Sequence, residues 1–399
     1  MKKTLPAIAA LLALSGVAHA QNSVTLYGLI DTGFAFNSNA KGGRQYSASS
    51  GNLQGDRWGL RGIEDLGGGY AAIFRLEGGY SVNSGALGQG GALFGRKAYV
   101  GLQTPYGTVT LGRQYDALGD YVGDFEAANF EKFVPGTEWG SIYGAHPGDM
   151  DNLDNSYRIN NTVKYASRSY YGLKFGGMYS LGGQAGDVTR NQVWGLGVGY
   201  DHGPFAGGIA IERAKNPNFG VFGTNPNANS ATAADAANVS NPVFSGFASA
   251  GAWQVISAGA AYHLGNATIG GVYSNVAFQN LGATAGAGLN PLHLSGTAKF
   301  NIGELSVSYL LTPSLQLGTA YTYTKGSSVG SVSGATYNQV NLGADYFLSR
   351  RTDLYVVGIY QHASGVDSTG KKAVAAIANL SNSSSDRQAA LVFGIRHKF

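Results

Sequence analysis

No cysteine occurs in the 399 residues, so disulfides are excluded as a source of stability. Charge is scarce as well, at 13% Asp, Glu, Lys and Arg. The formal charge of +4 falls to +2 once Lys2 and Lys3 leave with the N-terminal segment described below. That balance, without basic clusters, gives no footprint of nucleic-acid binding. Long apolar runs are missing too. After residue 20 no window supplies the ~20 apolar residues that a membrane-spanning helix needs, so a helical membrane protein is excluded.

What is abundant is glycine and aromatic residues: 62 Gly, 24 Tyr and 18 Phe. Glycine at this density weakens helices, and the aromatic and β-branched residues between the glycines favour strands. The chain reads as all-β. Its start is different in kind. Met1-Lys2-Lys3 is cationic, residues 5–17 are apolar, and Ala18-His19-Ala20 is a small-x-small cleavage signal. This is the layout of a secretory signal peptide over residues 1–20, cleaved after Ala20, which leaves 21–399 as one domain.

The other end alternates. Leu391, Phe393, Ile395, His397 and Phe399 share one face of an extended strand, and Ala390, Val392, Gly394, Arg396 and Lys398 the other. A terminal aromatic on the apolar face suits a membrane–water boundary. About sixteen segments of membrane-strand length follow from the same reading. They cover 24–36, 56–64, 70–82, 94–103, 107–114, 157–167, 172–181, 192–201, 205–213, 253–264, 267–278, 299–311, 315–325, 337–348, 353–362 and 388–399.

The links alternate in length. Short ones (65–69, 104–106, 168–171, 202–204, 265–266, 312–314, 349–352) interleave with long ones (37–55, 83–93, 115–156, 182–191, 214–252, 279–298, 326–336, 363–387). A soluble sandwich has no reason to gather its tight turns at one end. A transmembrane antiparallel β-barrel with short periplasmic turns and long external loops does. Closure follows because hydrocarbon tolerates no free sheet edge. A barrel this wide leaves a water-filled channel.

Several stretches resemble one family. They are Ser23-Val-Thr-Leu-Tyr-Gly-Leu-Ile-Asp-Thr32, Arg57-Trp-Gly-Leu-Arg-Gly-Ile-Glu-Asp-Leu-Gly67, Gly95-Arg-Lys-Ala-Tyr-Val-Gly-Leu102, Gly107-Thr-Val-Thr-Leu-Gly-Arg-Gln114, Arg158-Ile-Asn-Asn-Thr-Val-Lys-Tyr165 and the Phe399 terminus. As a set they resemble the general Gram-negative porins, trimeric sixteen-stranded outer-membrane barrels, in the branch typical of beta-proteobacteria. The resemblance implies a homotrimer in outer-membrane lipid, with early strands and the terminal strand at the contact. It implies passage of ions and small hydrophilic solutes, and no cofactor. It also implies that the third external loop, residues 115–156, folds into the barrel and opposes acidic residues to a wall of arginines.

On that reading the acidic side of the constriction is Asp116, Asp120, Asp124, Glu126 and Glu131. The basic side is Arg57, Arg96 and Arg158 by motif, with Arg75 and Lys164 pointing inward by alternation. A charge on the lipid face near mid-membrane costs ~2–4 kcal/mol, so strand charges belong in the lumen. Arg113 is the exception, since its parity aligns it with Val109 and Leu111. The count of inward basic residues leads to an expected weak anion preference. Tyr27, Tyr80, Tyr99, Tyr165, Tyr179, Tyr200, Tyr262, Tyr309, Tyr346 and Phe399 are candidates for aromatic girdles.

Other function classes fit less well. A barrel hydrolase needs a nucleophile, base and orienting group converging in space. The histidines after the leader (146, 202, 263, 293, 362, 397) are scattered, with no His-Glu-x-x-His and no phosphate-cradling loop. A surface adhesin or receptor on a barrel scaffold, and a soluble exported all-β protein, are the remaining alternatives. The second of these would come into solution without detergent.

Overall fold

A computed structural model describes residues 23–129, 139–223, 238–284 and 287–399. The leader assigned to residues 1–20 lies outside the described residues. Strands β1 Ser23–Ala40, β2 Gly43–Ser50, β3 Arg57–Gly67, β4 Tyr70–Gly79, β5 Lys97–Thr104 and β6 Gly107–Gln114 lead into the long loop. Then come β7 Ile159–Ser167, β8 Leu173–Ser180, β9 Val193–His202, β10 Phe205–Lys215, β11 Ala252–Leu264 and β12 Ala267–Leu281. β13 Gly296–Thr312, β14 Leu315–Gly326, β15 Ala335–Phe347, β16 Thr352–Gly365 and β17 Arg387–Lys398 complete one antiparallel sheet.

The sheet closes where β1 pairs with β17, from Leu29 opposite Lys398 to Asn37 opposite Ala390. Among the described residues no helix is long and apolar enough to cross a membrane. Seventeen strands make sixteen staves, because β2 and β3 both pair with β1, at successive heights. β2 lies within the link expected over residues 37–55. Its residues, Gly43-Arg-Gln-Tyr-Ser-Ala-Ser-Ser50, carry no apolar alternation and are mostly exposed. Residues 51–56 interrupt the stave and turn inward. Asp31 holds them, its carboxylate accepting from Leu53 N at 2.6 Å and Gln54 N at 2.9 Å.

Alternation fixes the two faces. On β17, Leu391, Phe393 and Ile395 are exposed outward, whereas Ala390, Val392 and Arg396 are buried inward. Arg396 is held by Asp353 at 3.1 Å and Asp345 at 3.3 Å. Phe399 extends the outer row; its backbone N and O both bond Gly28, at 3.0 Å. Not every girdle candidate faces lipid. Tyr27 donates to Glu77 Oε2 and Tyr99 lies opposite Arg75, so both face the lumen. Parity overrides composition there. The tight turn Gly67-Gly68-Gly69 needs three successive positive φ angles (81°, 62°, 82°), which is why glycine occupies it.

The wall is uneven. β5, β6, β7 and β8 have 8, 8, 9 and 8 residues, whereas β11 to β16 have between 12 and 17.

Candidate functional site

Residues 115–129 and 139–156 run along the inner face of the barrel. The first turn, helix Ala117–Tyr121, is capped by Asp116, whose carboxylate accepts from Gly119 N at 2.9 Å and Asn152 Nδ2 at 2.5 Å. The Tyr121 ring then lies over Gly197 of β9, where any Cβ would collide with it. The flanking residues Leu196 and Val198 are 57% and 48% exposed on the opposite side. The loop therefore packs on the side away from lipid. Phe125 seats against Gly259 of β11 in the same way, and the fully buried Trp139 against Gly318 of β14 and Gly343 of β15. Wall glycines leave room for loop aromatics.

The other flank of the loop meets the short strands across open space. Here a cavity of about 650 Å³ is lined by Arg57, Arg96, Arg158 and Tyr115 on the wall side. Asp120, Asp124, Asp149 and Asp154 line it on the loop side. The Tyr115 ring is the hub. Lys97 Nζ stands 4.2 Å from its centroid, Arg158 Cζ 5.4 Å and Arg96 Cζ 6.0 Å. Arg96 donates to the Tyr115 hydroxyl at 2.6 Å and to Glu77 Oε1 at 2.8 Å.

Electrostatics are lopsided. Burial acts to raise the Tyr115 phenol, but Arg96, Arg158, Lys97 and Arg57 outweigh it and bring it down to about 8. Burial, reinforced by Asp149, pushes the Asp154 carboxyl up to about 8. Burial likewise raises Asp149, and lifts Asp116 to about 6. Guanidinium groups have no comparable way to shed charge. Near neutral pH this leaves the cavity's arginines charged and part of its carboxylates neutral.

The site residues expected from sequence divide accordingly. Arg57, Arg96 and Arg158 come together with Asp120 and Asp124 around one cavity. Lys164 forms an ion pair with Asp120 and donates to Tyr115 O at 2.9 Å, tying the foot of the loop to β7. Arg75 faces the lumen but lies off the cavity, bonded to Glu77 at 2.8 Å and to the Tyr27 hydroxyl at 2.6 Å. Two acidic assignments need correction. Asp116 is fully buried as the helix cap, and Glu126 is buried beneath the loop, where its carboxylate accepts from His146 N at 2.9 Å. Both carboxylates serve the loop's own fold and neither faces the arginines. Glu131 lies outside the described residues.

Sequence reading missed Tyr115, Lys97, Glu77 and Asp154. Glu77 and Lys97 were accessible in principle, since Glu77 shares a face with Arg75 and stands opposite Lys97 in the ladder. Tyr115 and Asp154 carry no periodic signal. Among the described residues, Glu126, His146 and Asp151 bring potential ligand atoms within 4.8 Å of one another.

A family model for Gram-negative porins matches residues 7–365. The chain is a Gram-negative porin. An outer membrane porin of Bordetella pertussis is 34% identical over 245 residues, a match covering 55% of this chain and 61% of that protein. The chain thus spans less than two thirds of that relative. Outer membrane porin protein 32 of Delftia acidovorans is 28% identical over 408 residues, covering 100% of both chains. Among solved structures, an anion-selective porin from Comamonas acidovorans matches this porin with a TM-score of 0.70 at 22% identity. That match covers 95% of this chain and 100% of the other. A trimer form of OmpT from Vibrio cholerae gives 0.63 at 17% identity, covering 95% and 99%. The sixteen-stave barrel expected from sequence is the fold these structures share with this porin, and the outer membrane is its location.

Proposed function

We propose that this porin is a diffusion channel for ions and small hydrophilic solutes, working without a cofactor or covalent chemistry. Residues 115–129 and 139–156 narrow the lumen, and the narrowest part is the charged cavity beside Tyr115. Transport through it is weakly anion-preferring. The observation that carries this reading is the convergence of Arg57, Arg96 and Arg158 on one cavity, opposite carboxylates that burial partly neutralises. Fixed charges lining a narrow aqueous pore set ion preference. The anion-selective Comamonas structure agrees in direction. Planar-bilayer reversal potential under a salt gradient tests it; clear cation preference at neutral pH contradicts it.

The assembly we propose is a homotrimer, with the short strands β5 to β8 at the subunit contact in place of the early strands together with the terminal strand. An eight-residue strand tilted as in outer-membrane barrels rises only about 20 Å, short of the apolar band of ~25 Å. β5, β6 and β8 have that length. A neighbouring subunit would shield what lipid does not match. Arg113 supports the same placement: it extends from this outer face, donating to Gly95 O at 2.7 Å and Asn160 Oδ1 at 2.5 Å. Electrophoresis in mild detergent should give a large species that boiling dissociates. A monomer under the mildest extraction contradicts the trimer.

A further inference from the structure

We propose that Glu126, His146 and Asp151 form a divalent-metal site of zinc type that clamps the two arms of the inner loop together against the barrel wall. Glu126 lies on the outgoing arm, and His146 and Asp151 on the returning one. All three are buried, at 3%, 0% and 0% exposure. His146 Nδ1 stands 3.5 Å from Glu126 Oε1 and 2.6 Å from Asp151 Oδ2. A tetrahedral ion with arms of ~2.0–2.1 Å separates its ligand atoms by about 3.3 Å. The Glu126 separation already suits such an ion, and Asp151 has to yield by under ~1 Å.

A second observation points to a ligand. Asp151 Oδ1 is buried without any hydrogen-bond partner, although the residue's other oxygen meets His146 Nδ1. Buried polar atoms are nearly always satisfied. A metal on His146 Nδ1 would draw the Asp151 carboxylate to itself and define the imidazole's second nitrogen as the N–H. That nitrogen faces Glu304 Oε2 on β13, 3.6 Å away. Metal-bound histidines commonly turn their other N–H to a carboxylate, which orients the ring. Glu304 is itself fixed, accepting from Thr322 Oγ1 at 3.0 Å and from Ala127 N. The donor set of one imidazole and two carboxylates balances a dication and favours zinc, cobalt or nickel over magnesium and calcium. Because the site is buried, the ion enters before the loop docks. This inference stands on the geometry beneath the loop and not on ion preference in the pore.

The test is to refold the chain from denaturant into detergent micelles, with zinc or with a chelator. Metal is then measured after exhaustive dialysis, and folding is checked by heat-modifiable mobility. About one zinc per chain is expected. It should be lost in His146→Gln and Asp151→Asn, bound ~10–100-fold more weakly in Glu304→Gln, and retained in His202→Gln. A folded wild-type barrel that retains no zinc overturns the site, as does retention unchanged in His146→Gln. If the ligand variants fail to fold, wild type refolded with cobalt decides: a tetrahedral visible absorption band supports the site, and its absence overturns it.

Discussion

The strands flanking the charged cavity, β5 to β8, have 8 or 9 residues, and those across the barrel, β11 to β16, have 12 to 17. The chemistry inside differs with the height. Arg96, Lys97, Arg158 and Lys164 gather along the short side. The tall side turns in neutral groups such as Thr322, Gln339, Asn341 and Gln361 beside the carboxylates Glu304, Asp345 and Asp353, with glycines where Phe125 and Trp139 seat. One loop serves both sides. Its aromatic residues Phe125 and Trp139 dock by shape on the tall wall, while Asp120 reaches Lys164 and Asp124, Asp149 and Asp154 line the cavity beside the arginines. The lesson is a division of labour: steric fit sets where the loop lies, and charge sets what the remaining space favours.

Overfilling the docking side should break this contrast most severely. Leucine at Gly318 would occupy the volume of the Trp139 ring, and overpacking of this kind costs typically ~1–3 kcal/mol. Gly318→Leu and Gly197→Leu are expected to displace the loop and admit bulkier sugars in a liposome-swelling assay. Gly303→Leu is the control, since nothing lies within 4 Å of a Cβ there. Unchanged size exclusion in a folded Gly318→Leu barrel would show that the docking side does not hold the loop. Deleting residues 119–136 should enlarge the pore further still.

A smaller effect is expected from pH. Tyr115 and Asp154 are neutral below, and negative above, a pKa of about 8 each. Raising pH from about 6 to about 9 therefore adds negative charge beside the arginines, and anion preference should fall. Tyr115→Phe should remove part of that fall, as read from reversal potentials across the range. A pH-independent preference would mean that neither group titrates in the pore. The smallest effect belongs to Arg75. Bonded to Glu77 and Tyr27 and away from the cavity, it should shift reversal potential less on replacement by Ser than Arg57 does. An equal shift would extend the selective zone toward the turn end of the barrel.

Much of this architecture was legible because lipid enforces a period of two. Leu391, Phe393 and Ile395 could be set on the outer face from spacing alone, and the sixteen staves followed. β2 escaped because Gly43–Ser50 has no apolar row to read. Within the inner loop the period vanishes. Asp116 and Asp120 look alike in sequence, yet one caps a helix and the other reaches Lys164. Which carboxylate turns to the pore depends on where Tyr121 and Phe125 seat on glycines from β9 and β11, a contact between residues far apart in the chain. Tyr115 was missed for the same reason: its importance comes from Arg96, Lys97 and Arg158 converging on it in space.

The central claim is that the arginines lining the cavity, Arg57, Arg96 and Arg158, set ion preference. Its most direct test is the reversal potential of Arg57→Ser/Arg96→Ser beside wild type, in planar bilayers under a potassium chloride gradient. Screening length is ~10 Å at 0.1 M salt and ~3 Å at 1 M, so the fixed charges act strongly in dilute salt and weakly in concentrated salt. Wild type should prefer chloride, and the double variant should move toward potassium, by an amount that shrinks as salt rises. Asp120→Asn/Asp124→Asn should move the other way. Reversal potentials identical in wild type and the arginine variant, with conductance and folding intact, would contradict the account.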